Sequence, residues 1–355
     1  MMRVEPGQRF NLLHGLNGQG KTNFLEAIYL LGNPRSFRSA RLPDFIGHGR
    51  SQALVCGEVE SGGTSSQIRL ILETAGRRVE IDQKGIKRAS ELHGKLNAVV
   101  FSPDDTSMVK SGPEARRRYL DRAVYTGDIG YLHCWHDYHR ILKQRNHLLK
   151  SPDKTGLDIW TEKLAEAGAE VIERRLGYVA QLDTQLQRHY ATISGGGEAA
   201  GISYQPEGVQ ASERDVIRGE LLQLFQRHSK SDERYGTTTA GPHRDDLTFC
   251  LDARPLKAFG SQGQQKSFVL ALKMAEMENL QTVFGEPPLL LLDDMSSELD
   301  AQRNSNLMDF LTTRDIQVFI TTTQPSPALL ATTAHCSVFR VENGNLTSEG
   351  NETYE

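Results

Sequence analysis

The sequence predicts an α/β protein in which a helical lobe interrupts a body that contains the strands. Three observations predict this fold. A buried-strand pattern followed by a glycine loop lies near the start of the chain, very apolar strands return near its end, and helical patterns fill the middle third. We expect the body to comprise residues 1–104 and 236–355, and the helical lobe to comprise residues 105–235.

The first third of the chain contains strands around a single helix. The run RFNLLH, from Arg9 to His14, predicts a short buried strand, and a helix is predicted from Lys21 to about Leu31. Alternating apolar and polar residues between Ala53 and Ile86 predict antiparallel strands joined by glycine-rich turns. Asn97 to Phe101 predicts another strand.

The middle third is predicted to be helical. Helical patterns run from Pro113 to about Leu149, from Leu157 to about Ile193 and from Glu213 to about His228. The glycine-rich stretch from Gly195 to Gly208 predicts a loop. None of the helices repeats apolar heptads for long enough to predict an extended coiled coil.

The last third returns to alternating strands and helices. Helices are predicted from Gln265 to about Thr282 and from about Gln302 to Thr312. Strands are predicted at Leu289 to Leu292, Gln317 to Thr321 and Ser337 to Val341.

Composition excludes several classes of protein. The chain has 355 residues, with 41 basic and 45 acidic residues and a net charge of −4, so it does not coat nucleic acid by bulk positive charge. Its four cysteines form no C-x-x-C pair, which favours a reducing compartment. No run of 18 apolar residues and no signal-peptide core occur, so we expect a cytoplasmic protein without a membrane span.

The strongest motif is GLNGQGKT, from Gly15 to Thr22, which fits the phosphate-binding pattern G-x-x-x-x-G-K-[ST]. In this pattern, glycines let main-chain N–H groups surround phosphates, Lys21 reaches the β- and γ-phosphates and Thr22 binds Mg²⁺. The alternative is an ordinary glycine-rich turn. The predicted residues for binding ATP are Gly15, Asn17, Gly18, Gln19, Gly20, Lys21, Thr22 and Asn23.

A second motif, LLLLDDMSSELD, places two carboxylates after a very apolar strand, from Leu289 to Asp300. Ligands bind at the carboxyl ends of strands in open α/β sheets. We therefore expect Asp293 to hold Mg²⁺ and Asp294 to orient or deprotonate the attacking water. An acidic turn after a strand is the alternative.

A third motif lies between these two. The residues Ser261, Gln262, Gly263 and Gln264 are similar to the S-G-G-Q signature of ABC-type ATPases, with Gln262 in place of the first glycine. In that superfamily the signature contacts the γ-phosphate held by a second subunit. The alternative is a polar N-cap for the helix predicted to begin at Gln265.

Together these motifs make the chain resemble the RecF family of bacterial DNA replication and repair proteins. The resemblance also includes RSFR (35–38), FSPDD (101–105), PEARRRYLDR (113–122), QRN (144–146), GPHRDDL (241–247) and QVFITTT (317–323). It implies a P-loop ABC-type ATPase head, with a mixed sheet, an antiparallel β subdomain and an inserted helical lobe. It also implies an ATP-dependent homodimer in which each site joins the phosphate loop of one chain to the signature of the other, with Ser297 and Asp300 in the loop that crosses the interface.

The resemblance also implies partners. It implies binding to duplex DNA and to single-strand/double-strand junctions, and action with RecR and RecO to load RecA. The alternatives are the nucleotide-binding subunit of an ABC transporter and a chromosome-organising structural head. The transporter reading is opposed by the missing switch histidine, the Q-G-Q signature and the GPHRDD segment, and the structural-head reading by the absence of long heptad arms.

Two features of the motifs predict slow ATP hydrolysis, and we expect a weak ATPase that DNA stimulates, as the resemblance implies. The last strand before the C-terminal region leads into Thr321, Thr322 and Thr323 where transporters carry a switch histidine, and we expect Thr322 in the catalytic role. A threonine cannot titrate near pH 7. Asp294 is one methylene shorter than the usual glutamate.

The strand before the glycine loop is the first of the chain, whereas family members usually carry a further one, so the sequence assigns no contacts to adenine.

A local excess of positive charge predicts where DNA binds. Residues 110–150 contain nine basic and four acidic residues, a net charge of +5 within a chain of net −4. The alternative is a solvated helical face with internal ion pairs. The candidate DNA contacts are Arg116, Arg117, Arg118, Arg140, Lys143 and Arg145.

Histidines form two further groups. His133, His136 and His139 share helical spacing, which permits metal binding but favours a surface or DNA-facing role. His243 and Arg244 lie in GPHRDD and either contact nucleotide or brace the lobe; the sequence does not separate these alternatives.

Overall fold

The computed structural model describes residues 3–33, 36–38, 41–294, 301–324 and 336–349, and it divides the chain into two compact units. The first unit combines Met1–Asp105 with Glu276–Glu355, and the second is Thr106–Ala275. The mixture of strands and helices confirms the predicted α/β class. The domain limits predicted at residues 104 and 236 stay a prediction.

A six-stranded sheet belongs to the first unit. Its strands are β1 (Phe10–His14), β6 (Ala98–Phe101), β10 (Leu289–Leu292), β11 (Val318–Thr322), β12 (Ser337–Glu342) and β13 (Asn345–Ser348). The order is β13-β12-β1-β11-β10-β6, and all neighbours run parallel except the antiparallel pair β12 and β13. Parallel strands need apolar residues on both faces, which is why β10 is a run of leucines.

An antiparallel sheet also belongs to the first unit. Its strands are β2 (Gln52–Ser61), β3 (Thr64–Glu73), β4 (Gly76–Ile81) and β5 (Lys84–Gly85), in that order. Ile68, Leu70 and Leu72 alternate along β3 and are buried, whereas the residues between them are partly exposed. This period of two confirms the strands predicted from Ala53 to Ile86.

The helix α1 (Lys21–Gly32) packs against both sheets. Leu25 and Tyr29 join the core of the six-stranded sheet, whereas Leu30 and Leu31 pack against residues of the antiparallel sheet. A helix with two apolar faces is held on both sides. Its first residue therefore lies in a fixed position after the end of β1.

The remaining helices follow in chain order. They are α2 (Pro103–Lys110), α3 (Pro113–Gly127), α4 (Ile129–Lys150), α5 (Leu157–Ser194), α6 (Arg214–Tyr235), α7 (Leu256–Phe259), α8 (Gln262–Phe284) and α9 (Ala301–Thr312). Among the described residues, no helix combines the length and apolar character needed to cross a membrane.

The structure corrects two predictions in the second unit. The continuous helix predicted from Pro113 is two helices, because Asp128 ends α3 and its carboxylate accepts a hydrogen bond from Gly130 N at the start of α4. The predicted loop from Gly195 to Gly208 is wrong between residues 200 and 205, where β7 (Ala200–Gln205) pairs with β8 (Asp246–Leu251), which in turn pairs with β9 (Arg254–Pro255). The alternating buried residues of AGISYQ were the missed signal.

Candidate nucleotide-binding site

The loop between β1 and α1 adopts a conformation that needs glycine. Gly15, Gly18 and Gly20 have φ values of +148°, +79° and +106°, which side chains disfavour. A Cβ atom on Gly15 would lie 2.3 Å from the main-chain oxygen of Val341. The helix α1 begins without a side-chain cap and without an acidic residue in its first turn. Such a loop and helix start favour an anion.

The lysine of this loop bonds to the main chain of the loop itself. Lys21 is buried, and its ammonium donates hydrogen bonds to the carbonyl oxygens of Gly15 (2.6 Å) and Leu16 (3.0 Å). Burial lowers the pKa of Lys21, and the nearby carboxylates of Asp294 and Asp293 partly oppose that shift. The lysine therefore lies at the same edge of the sheet as the two predicted acidic residues.

Asp293 joins the two predicted halves of the site. The Thr22 hydroxyl donates a hydrogen bond of 2.9 Å to Asp293 Oδ1, although the two residues lie 271 positions apart in the sequence. Asp293 follows β10 directly and is buried. A hydroxyl and a carboxylate are oxygen ligands of the kind that Mg²⁺ binds together with water and phosphate. These two residues therefore fit the predicted magnesium site.

The sequence reasoning missed Thr321. Its buried hydroxyl donates to Asp293 Oδ1 (2.7 Å) and accepts a hydrogen bond from Asp294 N (2.9 Å). The hydroxyl of Thr322, which we predicted in a catalytic role, instead donates to the carbonyl oxygen of Gln324 (3.0 Å). The strand register contained the signal, because Leu292 pairs with Ile320 and so Thr321 lies beside Asp293. A catalytic role for Thr322 stays a prediction.

Asp294 has an unusual backbone conformation, with a φ of +52°. Aspartate tolerates this left-handed conformation better than most residues that carry a side chain. The turn is held by the hydrogen bond from Asp294 N to Thr321. The next residues, 295–300, lie outside the described part of the chain, and with them the predicted interface residues Ser297 and Asp300.

The turn between β12 and β13 braces the phosphate loop. Gln19 Oε1 accepts a hydrogen bond from Asn343 N (2.6 Å), and the carbonyl oxygen of Gln19 accepts one from Gly344 N (3.0 Å). Asn343 and Gly344 both have positive φ, as a tight hairpin turn requires. Gln19, predicted to bind nucleotide, thus places its side-chain oxygen on the hairpin. The sequence offered no signal for this contact beyond the Asn-Gly pair.

The other predicted residues of the loop are accessible. Asn17 and Gly18 are exposed in the loop, and Asn23 is exposed in the first turn of α1. Asn23 Oδ1 accepts a hydrogen bond of 3.4 Å from Arg38. A nucleotide role for these three residues stays a prediction.

The signature-like segment lies in the second unit and forms a capping box. Ser261 N donates to Gln264 Oε1 (2.7 Å), and Gln264 N donates to the Ser261 hydroxyl (3.2 Å). The amide of Gln264 also donates to Glu198 Oε1 (2.6 Å). The helix therefore begins at Gln262, three residues before the predicted start. Ser261 and Gln262 are exposed, and Gly263 and Gln264 are partly exposed.

The structure corrects two of the predicted DNA contacts. Arg116 is buried and holds both carboxylate oxygens of Asp246 (2.8 and 2.7 Å). Arg145 is buried and donates to Asp232 Oδ2 (2.8 Å) and to the Thr238 hydroxyl (2.6 Å). Neither guanidinium can reach a phosphate without breaking its ion pair, and the pair of Arg145 is buried on both sides.

The other basic candidates remain accessible to different degrees. Arg117 is partly exposed, and its guanidinium donates to the carbonyl oxygen of Asp245 (2.8 Å). Arg118, Arg140 and Lys143 are exposed, and the first two form surface ion pairs with Glu114 and Asp137. Surface pairs of this kind contribute little stability and are readily exchanged for another anion. DNA contact by these four residues stays a prediction.

The histidine group of α4 shows ring packing. The ring of His139 lies 4.0 Å from that of Trp135, and His136 meets the edge of the same indole. Burial lowers the pKa of His139. Within the described ranges, no cluster of three or more metal-ligating side chains is found.

Comparisons with known proteins agree over nearly the whole chain. Residues 2–347 match the family described as RecF/RecN/SMC N terminal domain. The DNA replication and repair protein RecF of Trichlorobacter lovleyi is 52% identical over 350 residues, covering 99% of this chain and 95% of that protein. The protein of the same name from Geobacter metallireducens is 51% identical over 344 residues, covering 96% and 93%.

Solved structures give the same result. A structure of the recombination mediator protein RecF-ATP in the RecFOR pathway is 32% identical, covers 97% of this chain and 94% of that chain, and has a TM-score of 0.88. An Smc head domain from Pyrococcus furiosus is 16% identical and covers 97% of this chain and 91% of that chain, with a TM-score of 0.55. This second likeness supports the fold alone.

Proposed function

We propose, from the premise that this chain belongs to the RecF family within the RecF/RecN/SMC N terminal domain group, that it is an ATP-dependent DNA-binding clamp of recombinational gap repair. The fold is that of the ABC-type ATPase head. One observation carries the proposal: the Thr22 hydroxyl contacts Asp293, which joins a phosphate loop to an acidic strand end. In P-loop ATPases a phosphate loop and an acidic strand end together hold the phosphates and Mg²⁺.

The residues of the first unit have separate roles in this chemistry. Lys21 leaves the carbonyl oxygens of Gly15 and Leu16 to bind the β- and γ-phosphates, and glycine N–H groups bind the remaining phosphate oxygens. Thr22 and Asp293 would hold Mg²⁺, which would neutralise charge on the phosphate oxygens. Asp294 orients the attacking water.

Slow hydrolysis follows from three side chains. The strand that ends beside Asp293 carries hydroxyls, at Thr321 and Thr322, and neither can accept and release a proton near pH 7. The short side chain of Asp294 extends less far toward water than a glutamate does. These residues favour a clamp that holds ATP for long periods, with turnover stimulated by DNA.

The clamp itself is an ATP-dependent homodimer. Ser261, Gly263 and Gln264 of one copy contact the γ-phosphate bound by the other, so ATP joins the two copies. The exposure of Ser261 and Gln262 at the start of α8 supports this role, because a helix start favours an anion, and the capping box holds Ser261 in that position. The closed dimer binds duplex DNA and single-strand/double-strand junctions.

The family also supports partners and a location. The solved relative named above is described as part of the RecFOR pathway. We therefore propose that this chain acts with RecR, with RecO and RecA downstream, in the cytoplasm. Within the described residues none of the four cysteines, Cys56, Cys134, Cys250 and Cys336, forms a disulfide, which agrees with a reducing compartment.

Sedimentation with and without ATP and Mg²⁺ tests the clamp. The wild-type protein should be a monomer without ATP and a dimer with it, whereas Lys21→Ala should remain a monomer and bind no ATP. Lys95→Ala, which removes an exposed lysine of the same unit, is the matched control. A wild-type monomer under both conditions would contradict the clamp.

A second variant tests the role of Asp294. Asp294→Asn should bind ATP, hydrolyse it more slowly and prolong the dimer, since water would no longer be oriented by a carboxylate. Faster release of DNA from this variant would contradict the assignment.

A further inference from the structure

The segment 241–246 of the second unit, GPHRDD, forms a loop that is braced on several sides. His243 Nε2 lies 3.0 Å from the carbonyl oxygen of Thr238, which can only accept, so Nε2 carries the proton and Nδ1 accepts from the Tyr138 hydroxyl (2.6 Å). The buried Arg175 donates to the carbonyl oxygen of Pro242 (2.7 Å). His243 is therefore a brace, the second of the two roles open from the sequence.

Both carboxylates of the loop are already engaged. Asp245 is buried and accepts hydrogen bonds from the Tyr204 hydroxyl (2.5 Å) and from Glu207 N (3.2 Å). Asp246 is held at both oxygens by Arg116. Neither acid is thus free to pair with the arginine that precedes them.

Arg244 is the exception in this loop. Its side chain is exposed and makes no ion pair or side-chain hydrogen bond within the described residues. Its main chain is fixed, because Arg244 N donates to the carbonyl oxygen of Gly241 (2.7 Å) and its own carbonyl oxygen accepts from Arg117 (3.2 Å). The guanidinium of Arg117 lies beside the main chain of Arg244 and is a second positive group at this loop.

This arrangement favours an anion that accepts two hydrogen bonds. Guanidinium groups bind phosphate oxygens in pairs and remain charged at any physiological pH. A rigid main chain reduces the conformational entropy lost when the side chain binds. A fixed loop with one unpaired arginine, a second guanidinium beside it and both acids engaged elsewhere is a phosphate-binding arrangement.

We propose that Arg244 binds a phosphate group when the clamp forms, an inference that rests on the proposed function. The DNA backbone is one source of phosphate. The nucleotide held by a second copy is another source, because a chain of contacts connects this loop to the signature-like segment. Arg116, which holds Asp246, also donates to the carbonyl oxygen of Ser111 (2.7 Å). Lys257 of α7, just before the signature-like segment, donates to the same oxygen (3.5 Å). The experiment distinguishes these sources.

The test compares Arg244→Ala with Arg254→Ala. Arg254 is also exposed and unpaired within the described residues of the second unit, but it lies on β9 and not on the braced loop. One arm measures binding of a duplex of fixed length at several salt concentrations, and the other measures ATP-dependent self-association. Urea unfolding of each variant should match that of the wild type, because the substituted side chain is exposed.

If the phosphate is that of DNA, Arg244→Ala weakens duplex binding about tenfold relative to Arg254→Ala. It also lowers the slope of log K against log salt by about 1. Arg244→Lys should restore the slope and only part of the affinity, since it keeps the charge without the paired donors. A purely structural role would not move this slope.

If the phosphate is that of the nucleotide, Arg244→Ala weakens ATP-dependent self-association and leaves duplex binding unchanged. Equal behaviour of the Arg244 and Arg254 variants in both arms would overturn the proposal. A wild-type protein that neither binds duplex nor associates with ATP would instead overturn the proposed function, so the two failures are distinct.

Discussion

Replacing Thr321 by valine tests how the acidic end of β10 is held. Valine has nearly the same shape as threonine, so the change removes a hydroxyl without opening a cavity. That hydroxyl donates to Asp293 Oδ1 at 2.7 Å and accepts from Asp294 N at 2.9 Å, in a site where Thr321 is fully buried. The substitution therefore removes two hydrogen bonds at once.

The expected cost follows from these two bonds. Loss of a buried hydrogen bond to a charged group costs about 1.5–3 kcal/mol, and a buried N–H left without an acceptor costs about 1–3 kcal/mol. Because Asp293 keeps the bond from Thr22, we expect values at the lower ends, a total of about 2.5 kcal/mol. Asp293 should also be less well oriented, so binding of ATP should require more Mg²⁺.

Two measurements check this prediction. Hydrogen exchange read by mass spectrometry should show faster exchange in peptides that span β10 and Asp294, and ATP binding should be titrated against Mg²⁺. Thr321→Ser keeps the hydroxyl and is the matched control. The reasoning would be refuted if valine and serine at this position gave the same exchange and the same Mg²⁺ dependence.

Three further predictions concern the brace, the core and the pH response. Gln19→Ala removes the acceptor for Asn343 N, so KM for ATP should rise severalfold with kcat unchanged in steady-state assays; a change in kcat alone would contradict this. Asp232→Ala leaves the buried guanidinium of Arg145 unpaired and should lower the free energy of unfolding by about 3–5 kcal/mol in urea, whereas a cost below 1 kcal/mol would argue against the buried pair. Burial lowers the pKa of His243 from 6.5 to about 4, so only the unfolded chain binds this proton between those values. The stability from His243 is complete above about pH 6.5 and is lost toward pH 4, by about 3 kcal/mol, and His243→Gln should flatten that part of the profile.

Features that depend on neighbouring residues were predicted well from the sequence. The phosphate loop needs glycines at particular positions because its φ values are positive, and that requirement is visible in GLNGQGKT. The leucine run of β10 and the helical spacing of buried residues such as Leu164, Val171 and Leu182 along α5 are similarly local, since burial on one or both faces imposes a period on the sequence. The position of Asp293 opposite Thr22 then followed from the rule that ligands bind at the carboxyl ends of strands.

The loop predicted from Gly195 to Gly208 shows where such reasoning fails. The many glycines of this segment predicted a loop, whereas the short alternation of apolar and polar residues in AGISYQ was the correct signal. Ile202 and Tyr204 of β7 are buried, and both residues pair with β8. A short strand is stabilised mainly by its partner, and that partner lies more than 40 residues further along the chain.

Tertiary structure alone decided which polar groups meet. Arg116 and Arg145 resemble Arg118 and Arg140 in the sequence, yet the first two are buried against Asp246 and Asp232 and the others are exposed. Besides the hydroxyl of Thr22, that of Thr321 contacts Asp293, and strand register places it there. Arg244 forms no ion pair within the described residues, because its neighbouring acids are bound by other residues. Composition and periodicity determine which segments form helices and strands, because the backbone preferences and side-chain contacts that favour each element act between near neighbours in the sequence. The partners of a charge depend on packing between distant segments, and so only the folded chain decides them.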